Sequence, residues 1–334
     1  MAAYTTIDDP SAFFKCHLYS GNGSTNAQTF ADTDTDMQPD MVWIKSRSDG
    51  FSHMLYDAVR GVQKHIKPDS EAAEATDANS LTAFGSDGFT VGTNSDLNNS
   101  GDTYVAWCWK ESATAGFDIL SYSGTGSART QAHSLSAKPN WIIVKKTSAS
   151  GGSWFVYLTG GIPATNYVKL NETGATSASS SMWNNTEPTS SVFSLGTSSD
   201  VNGDGVTYVA YLWRSVQGFS KFGTYVGNGN ADGPMVYTGF SPAYVVKNAG
   251  GDEAWNVWNN KTPGYNVANK NLQPNSTVAE QTSSAGVKEI DFLSNGFKIR
   301  GSNTELNQSG NTHIYMAFAE APFVNSNGVP CTAR

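Results

Sequence analysis

The sequence predicts an all-β protein made of three tandem antiparallel β-sandwiches of jelly-roll type, each about 100 residues long. A turn followed by an apolar strand occurs three times, at 98–107, 202–211 and 307–318. Each copy holds about seven or eight short strand-like segments, with turn residues and no helical periodicity between them. Only 15% of the residues are charged, whereas aromatic residues reach 12%. With abundant Gly, Ser, Thr and Asn, this composition is typical of β-rich chains with long polar loops.

The period of the repeat sets the size of the folding unit. Gly21, Gly124 and Gly227 open equivalent Gly-x-Gly turns and are 103 residues apart. A solenoid unit has roughly 20–50 residues, whereas a domain with its own core has roughly 100–150. The 334 residues are therefore expected to form three related domains. In the third copy we expect two extra residues after Thr312, because Tyr315 is the next tyrosine.

Domain boundaries are placed just after each repeated aromatic strand, where a short polar linker begins. We expect an N-terminal arm, three sandwich repeats and a C-terminal tail, at 1–13, 14–112, 116–215, 218–320 and 321–334. Linkers this short hold neighbouring domains close together. The tail is polar and contains two prolines, so we expect it to be extended and to dock on neighbours in an assembly.

The same elements follow in order within each copy. Strand alternation begins at 14–19, and the apolar run 41–44 is typical of a strand that is buried on both faces. The segment 62–80 is the best candidate for a helical turn or a loop insertion. Its counterparts, 171–191 and 263–286, are polar loops. Loops at one position of a repeated unit should project from equivalent faces.

Composition also excludes several functional classes. A net charge of −8 argues against nucleic-acid binding, which needs Lys and Arg to neutralise phosphates. No apolar run reaches the 18 or so residues of a membrane span, so we expect no membrane insertion. The N-terminus lacks the basic and apolar regions of a secretory signal. The widely spaced Cys16, Cys108 and Cys331 are expected to be free thiols, which suits assembly in a reducing cytoplasm.

One turn resembles the first half of a calcium-binding loop. Asp200, Asn202 and Asp204 alternate along Asp-x-Asn-x-Asp-Gly, and their side-chain oxygens could wrap a hard cation. The twelfth position, however, is Tyr211 in place of a bidentate Glu. The alternative is a hairpin connection in which Asn and Gly supply left-handed backbone angles.

One loop offers a possible sugar-binding site. Trp183 is followed by Asn184 and Asn185 in a Ser- and Asn-rich segment. An indole can stack on a pyranose ring while neighbouring amides bond its hydroxyls. The alternative is that Trp183 pins its own loop, or an interface, in place.

No catalytic residue and no cofactor are predicted. The five histidines, His17, His53, His65, His133 and His313, are not spaced as metal ligands on one element. His53 occupies the position of Trp154 and Trp255, which predicts a packed strand residue. Glycosidase chemistry by Asp252 and Glu253 would require a second carboxylate across a cleft. The sequence therefore favours a protein that is not an enzyme.

Four segments together resemble a known group of proteins. They are the opening Phe14–Thr25, the run Pro39–Lys45, the Gly88-Phe89 strand and the closing Tyr315–Phe323. With the repeats they cover nearly the whole chain, and they resemble tandem-repeat virion structural proteins of tailed, especially marine, bacteriophages. That group is a domain family of unknown biochemical function.

The resemblance implies a non-enzymatic structural protein on the particle surface, either capsid decoration or a peripheral head or tail-fibre component. Implied partners are other virion proteins and further copies of the same chain, in a virion assembled in the host cytoplasm. The alternative is a carbohydrate-binding module of a tail fibre that recognises a host-surface glycan. The resemblance carries over no catalytic residues.

Overall fold

The computed structural model describes residues 3–30, 35–249 and 252–331, with the backbone alone at 245–249. Residues 1–2 of the predicted arm and 332–334 of the predicted tail lie outside the described residues. Strands account for 42% of the chain and helices for 6%. The prediction of an all-β, antiparallel protein is therefore confirmed.

The first repeat follows a single turn of 3-10 helix, Pro10–Ala12. Its strands and helix are β1 Phe14–Ser20, β2 Asn26–Thr29, β3 Met41–Ser46, β4 Met54–Asp57, β5 Lys64–His65, β6 Ala75–Thr76, β7 Leu81–Gly85, β8 Gly88–Val91, α1 Ser95–Asn98 and β9 Thr103–Trp109. The large sheet has the order β1-β9-β3-β4, the small sheet has the order β2-β8-β7, and β5 pairs with β6.

The second repeat shares the order of the first four strands in its large sheet and adds two strands to it. Its elements are β10 Phe117–Ser123, β11 Arg129–Ala132, β12 Trp141–Lys146, β13 Trp154–Leu158, β14 Asn166–Lys169, β15 Ser177–Ala178, α2 Ser180–Trp183, β16 Val192–Leu195, α3 Ser199–Asn202 and β17 Thr207–Trp213. Its large sheet has the order β10-β17-β12-β13-β14-β15, and β11 pairs with β16.

The third repeat completes the set. Its elements are β18 Ser220–Val226, β19 Met235–Tyr237, β20 Phe240–Ala249, β21 Asn256–Asn259, β22 Lys270–Asn271, β23 Gln281–Thr282, β24 Ile290–Leu293, β25 Gly296–Ile299, α4 Thr304–Asn307 and β26 Thr312–Pro322. Its large sheet has the order β18-β26-β20-β21, its small sheet has the order β19-β25-β24, and β22 pairs with β23.

Each large sheet is buried on both faces, which explains the continuous apolar runs. In β9, Val105, Trp107 and Trp109 enter a central cluster, whereas the alternate Tyr104 and Cys108 enter a cluster within the first repeat. A strand that lies between two apolar layers needs apolar residues at every position. The expectation for 41–44 is confirmed, since Met41 to Ile44 are at most 4% exposed.

The central cluster joins all three repeats into a closed ring. Phe14 stacks on Phe318 of the third repeat at 5.0 Å between ring centroids. Trp109 meets Trp213 of the second repeat at 6.4 Å, and Trp141 meets Phe222 at 6.1 Å. Because each repeat touches both others, their inner sheet faces share one core.

The expectation of two extra residues after Thr312 is wrong. Strand register pairs Ser20 with Thr103 in the first repeat and Val226 with Thr312 in the third. His313 therefore takes the place of Tyr104, and it stacks on Tyr225 at 4.9 Å as Tyr104 stacks on Tyr19 at 5.1 Å. The His313 imidazole replaces a phenol ring in this stack. Aligning the third copy on its next tyrosine, Tyr315, therefore shifted it by two residues relative to the other copies.

The segments that connect the strands, and the two terminal segments, also bear on the sequence expectations. Sheets change between Trp109 and Phe117, and again between Trp213 and Ser220. The segment 62–80 forms no helix, so the loop alternative is confirmed there. Both terminal segments contact the third repeat: the Tyr4 hydroxyl donates to the Gly239 carbonyl at 2.9 Å, and the Phe323 amide donates to the same carbonyl at 3.2 Å.

Candidate functional site

Three extended segments hold the ring together, and we call them straps. The first, second and third straps are residues 66–75, 168–175 and 272–281. Each begins beside the edge strand of its own repeat, through the pairs Leu55–Ile66, Val156–Val168 and Val257–Leu272. Each then crosses onto the next repeat, so a part of each of the three loops predicted at one position of the unit lies on a neighbour.

Each strap receives a hydrogen bond from a buried ring in the next repeat. The Trp154 Nε1–H donates to the Lys67 carbonyl at 3.0 Å, and the Trp255 Nε1–H donates to the Lys169 carbonyl at 2.9 Å. In the first repeat His53 takes this place, with its Nε2 3.0 Å from the Gln273 carbonyl. All three rings are 0% exposed, so each seam carries a desolvated hydrogen bond.

The third strap closes the ring, because it joins the two repeats that are not consecutive in the chain. Arg47 and Glu280 form a bidentate ion pair across this seam, with N–O distances of 2.9 and 3.0 Å. The Glu280 amide also donates to the Arg47 carbonyl at 2.9 Å. The equivalent bond of the first strap runs from the Glu74 amide to the Thr147 carbonyl, again at 2.9 Å.

The tautomer of His53 follows from its partners. Trp43 Nε1, which can only donate, lies 2.9 Å from His53 Nδ1. Nδ1 is therefore an acceptor, and Nε2 carries the proton that faces the Gln273 carbonyl. Burial, with the Lys45 charge as a further cause, holds the pKa of His53 well below its usual range. The ring is neutral and uses both nitrogens.

Two equivalent lysines lie beside these rings. Lys45 and Lys145 are 0% exposed, and burial lowers the pKa of each to about 8. The Lys45 Nζ donates to the carbonyls of Ser46 and Asp49 at 2.8 and 3.0 Å. The third repeat has an asparagine at the equivalent position. Asn248 pairs with Ile314 in the strand register, as Lys45 pairs with Val105 and Lys145 pairs with Val209.

The seam between the first two repeats contains a buried charged network. The Tyr211 hydroxyl donates to Asp57 Oδ2 at 2.6 Å, and the Arg60 Nε–H donates to the same oxygen at 2.6 Å. Asp57 is 0% exposed. A third donor, the Arg60 amide, bonds Asp57 Oδ1 at 2.8 Å. Such a buried carboxylate fixes the register of the seam, since losing the Tyr211 or Arg60 side chain leaves its charge poorly compensated.

The motif resembling a calcium loop forms a helical turn. Asn202 is 0% exposed; its Nδ2 donates to the carbonyls of Ser127 and Gly196 at 2.7 Å each, and its Oδ1 accepts from the Thr125 amide at 3.0 Å. Asp200 lies 3.9 Å from Lys146 Nζ, and Asp204 is exposed. Asn202 thus acts as a structural bridge between two turns.

The same bridge occurs in the other two repeats. Asn98 Oδ1 accepts from the Asn22 amide at 2.9 Å, and Asn307 Oδ1 accepts from the Asn228 amide at 2.8 Å. The glycine of each turn has the expected positive φ, 69° at Gly205, whereas the asparagine ends a right-handed turn. The turn interpretation therefore has the correct glycine but assigned the asparagine a left-handed angle that it does not adopt.

Trp183 does not present a face to solvent. It ends α2, is 2% exposed and packs on Tyr157 at 6.0 Å between ring centroids. Asn184 and Asn185 follow as exposed residues with φ of 51° and 50°. This geometry matches the interpretation of Trp183 as a loop anchor. Of the three residues proposed to bind a sugar, only Asn184 and Asn185 are accessible to solvent.

A cleft of about 290 Å³ lies between the first and third repeats. Its ionisable lining residues include Lys15, His17, Lys261, Asp9 and Glu320. The Lys15 Nζ donates to the Thr35 carbonyl at 2.6 Å. In the ranges that the structure describes, no three His, Cys, Asp or Glu side chains come close enough to share a metal ion.

The remaining sequence expectations concern cysteines and helices. Cys16, Cys108 and Cys331 are free thiols, as predicted, and the first two are buried. Among the helices of the described residues, none has the length and apolarity to span a bilayer.

Comparison with known families places the chain in one of them. A family described as a domain of unknown function, DUF7483, matches residues 9–322. The chain belongs to the DUF7483 family. No curated protein and no solved structure matches it significantly. The DUF7483 match extends from just before β1 to the end of β26, and so it includes all three repeats and all three straps.

Sequence reasoning missed the straps as the elements that join the repeats. The available signal was the alignment of His53 with Trp154 and Trp255, at intervals of 101 residues. That alignment predicts shared burial, but it does not identify the carbonyl each ring meets in another repeat.

Proposed function

We propose that this protein is a non-enzymatic structural component of a bacteriophage particle surface, as capsid decoration or as a peripheral head or tail-fibre component. The observation that carries the proposal is the closed ring, in which one core and three straps lock the repeats together. Such a unit suits a rigid building block. The link to a virion rests on the resemblance of the four sequence segments described above.

Side chains that often perform chemistry are engaged here in holding the ring. His53 joins the first and third repeats, Asp57 joins the first and second, and Asn202 bridges two turns. All three are 0% exposed. Groups desolvated in this way stabilise one arrangement of the chain, and this favours a structural role.

We further propose that each repeat is a domain with a jelly-roll-related topology. In the first repeat, β1 pairs with the last strand β9, β9 pairs with β3, and β2 pairs with β8. Such nested pairing of early with late strands is what two interlocked Greek keys produce. The hairpin between β3 and β4 departs from that pattern.

Carbohydrate binding at residues 183–185 is the weaker candidate. Its stacking ring is buried against Tyr157, whereas a sugar platform needs an accessible ring face. A glycan array probed with the wild-type protein and with the double variant Asn184→Ala/Asn185→Ala tests it. Binding that the double variant abolishes would restore this candidate.

The structural proposal is tested on particles. Particles are purified from a phage whose genome encodes this chain. They are labelled with gold-conjugated antibodies raised against the recombinant protein, and the proteins of the particles are quantified by mass spectrometry. We expect regular labelling of the head or tail surface at a fixed copy number. Particles without the protein, when infected cells contain it, would overturn the proposal.

A further inference from the structure

The ring-closing seam differs chemically from the other two. Trp154 and Trp255 donate to the first and second straps through indole N–H groups, which do not titrate. His53 donates to the third strap through an imidazole, which can take up a second proton. Of the three equivalent hydrogen bonds from a buried ring to a strap, only the third thus has a donor that titrates.

We propose that the third strap is an acid-operated latch: a second proton on His53 releases residues 272–281 from the first repeat, while the first and second straps stay in place. The inference concerns the ring itself and stands independently of the location of the protein on a particle.

The closed arrangement has no place for that proton. His53 Nδ1 already accepts from Trp43 Nε1–H at 2.9 Å. A proton on Nδ1 would set two N–H donors against each other and create a cation in a site that is 0% exposed. Burying a charge without a compensating partner is strongly unfavourable, so the protonated ring is favoured only when the strap has opened.

Several ionisable groups surround His53, and the cation among them opposes protonation of the closed ring. Lys45, from the neighbouring strand β3, lowers the pKa of the imidazole. Asp69 accepts from the backbone N–H of His53 at 2.9 Å, and burial raises the pKa of that carboxyl. The Trp107 ring stacks on the His53 ring, with 6.5 Å between ring centroids. The third strap contributes the Gln273 carbonyl. The Arg47–Glu280 ion pair lies farther along the same seam.

The size of the effect follows from proton linkage. A histidine exposed by strap opening has a pKa of about 6.5. Stability of the closed strap is complete above that value and falls as the pH drops toward the lowered pKa of the closed state. Each pH unit below about 6.5 therefore favours opening by up to about tenfold, which is up to about 30-fold at roughly pH 5.

The chain provides its own internal control. The amides of Glu280 in the third strap and Glu74 in the first make equivalent bonds of 2.9 Å to the next repeat. Hydrogen–deuterium exchange of peptides covering 272–281 and 66–75 is measured at pH 7 and pH 5, with correction for intrinsic exchange rates. We expect faster exchange of the third strap at pH 5 and a smaller change in the first, whose ring-to-strap hydrogen bond has no donor that titrates.

A matched variant isolates the histidine. Trp43→Ile with His53→Trp copies the pair Ile143 and Trp154 of the second repeat, and we expect its third strap to lose the pH response. If this variant does not fold, the comparison of exchange in the first and third straps of the wild-type protein still decides whether the third strap is released by acid. Equal changes in both straps, or none in the third down to pH 4.5, would overturn the latch.

Discussion

Asn202 distinguishes the structural interpretation of its turn from the calcium interpretation. Its amide donates to two buried carbonyls and accepts from one backbone amide, with no part of the side chain exposed. An aspartate at this position is a better calcium ligand than an asparagine. It cannot, however, donate to the carbonyls of Ser127 and Gly196. Asn202→Asp therefore has opposite consequences in the two interpretations.

The expected cost is worked from those three bonds. A buried hydrogen bond contributes about 0.5–1.5 kcal/mol net, and a buried group left without its partner costs about 1–3 kcal/mol. Asn202→Ala should therefore lower the free energy of unfolding by about 3 kcal/mol. Asn202→Asp should cost at least as much, because it places a charge against two carbonyl oxygens.

The assay is urea denaturation followed by tryptophan fluorescence, with calcium chloride and with a chelator. Asp204→Ser is the matched control, because Asp204 is exposed and its replacement should change the unfolding free energy by less than about 0.5 kcal/mol. The reasoning fails if calcium stabilises the wild-type protein, Asp204→Ser removes that effect, and Asn202→Asp is tolerated.

Three further predictions concern other buried or half-buried groups. Tyr211→Phe removes a donor 2.6 Å from buried Asp57 and should cost about 1.5–3 kcal/mol in urea denaturation; no loss would contradict the network. Burial and a hydrogen bond to Asp118 raise the pKa of Glu111 from 4.5 to about 7, so this group should make stability fall as pH rises across that range. Glu111→Gln should reduce that fall in denaturation series at pH 5 and 8, and an unchanged slope would refute the assignment. Trp183→Ala should cost about 3–5 kcal/mol, as for a core tryptophan, and a change near zero would mean that the ring is not an anchor.

The strand content and the repeat could be predicted because both follow from local pattern. Continuous apolar runs such as 41–44 indicate burial on both faces, and the structure places a shared core against one face and the core of the repeat against the other. The repeated turns, with Asn at the first position and Gly at the fourth, likewise predicted the positive φ of Gly205. These features depend on residues that are close together in sequence.

The seams could not be predicted because their partners are remote in sequence. His53 and Gln273 are 220 residues apart, and a backbone carbonyl leaves no signature in the residue that carries it. Trp183 shows a related limit, since a polar neighbourhood in sequence suggested exposure but the ring turns inward against Tyr157. Pattern identifies which residues are apolar, whereas the tertiary fold decides which surface covers them.

The central claim is that the three repeats form one closed cooperative ring, and calorimetry tests it most directly. Because aromatic side chains of every repeat share one core, we expect a single unfolding transition at pH 7, with the calorimetric enthalpy equal to the van't Hoff enthalpy. A trace that resolves into separate transitions, with a calorimetric enthalpy two to three times the van't Hoff value, would contradict the ring.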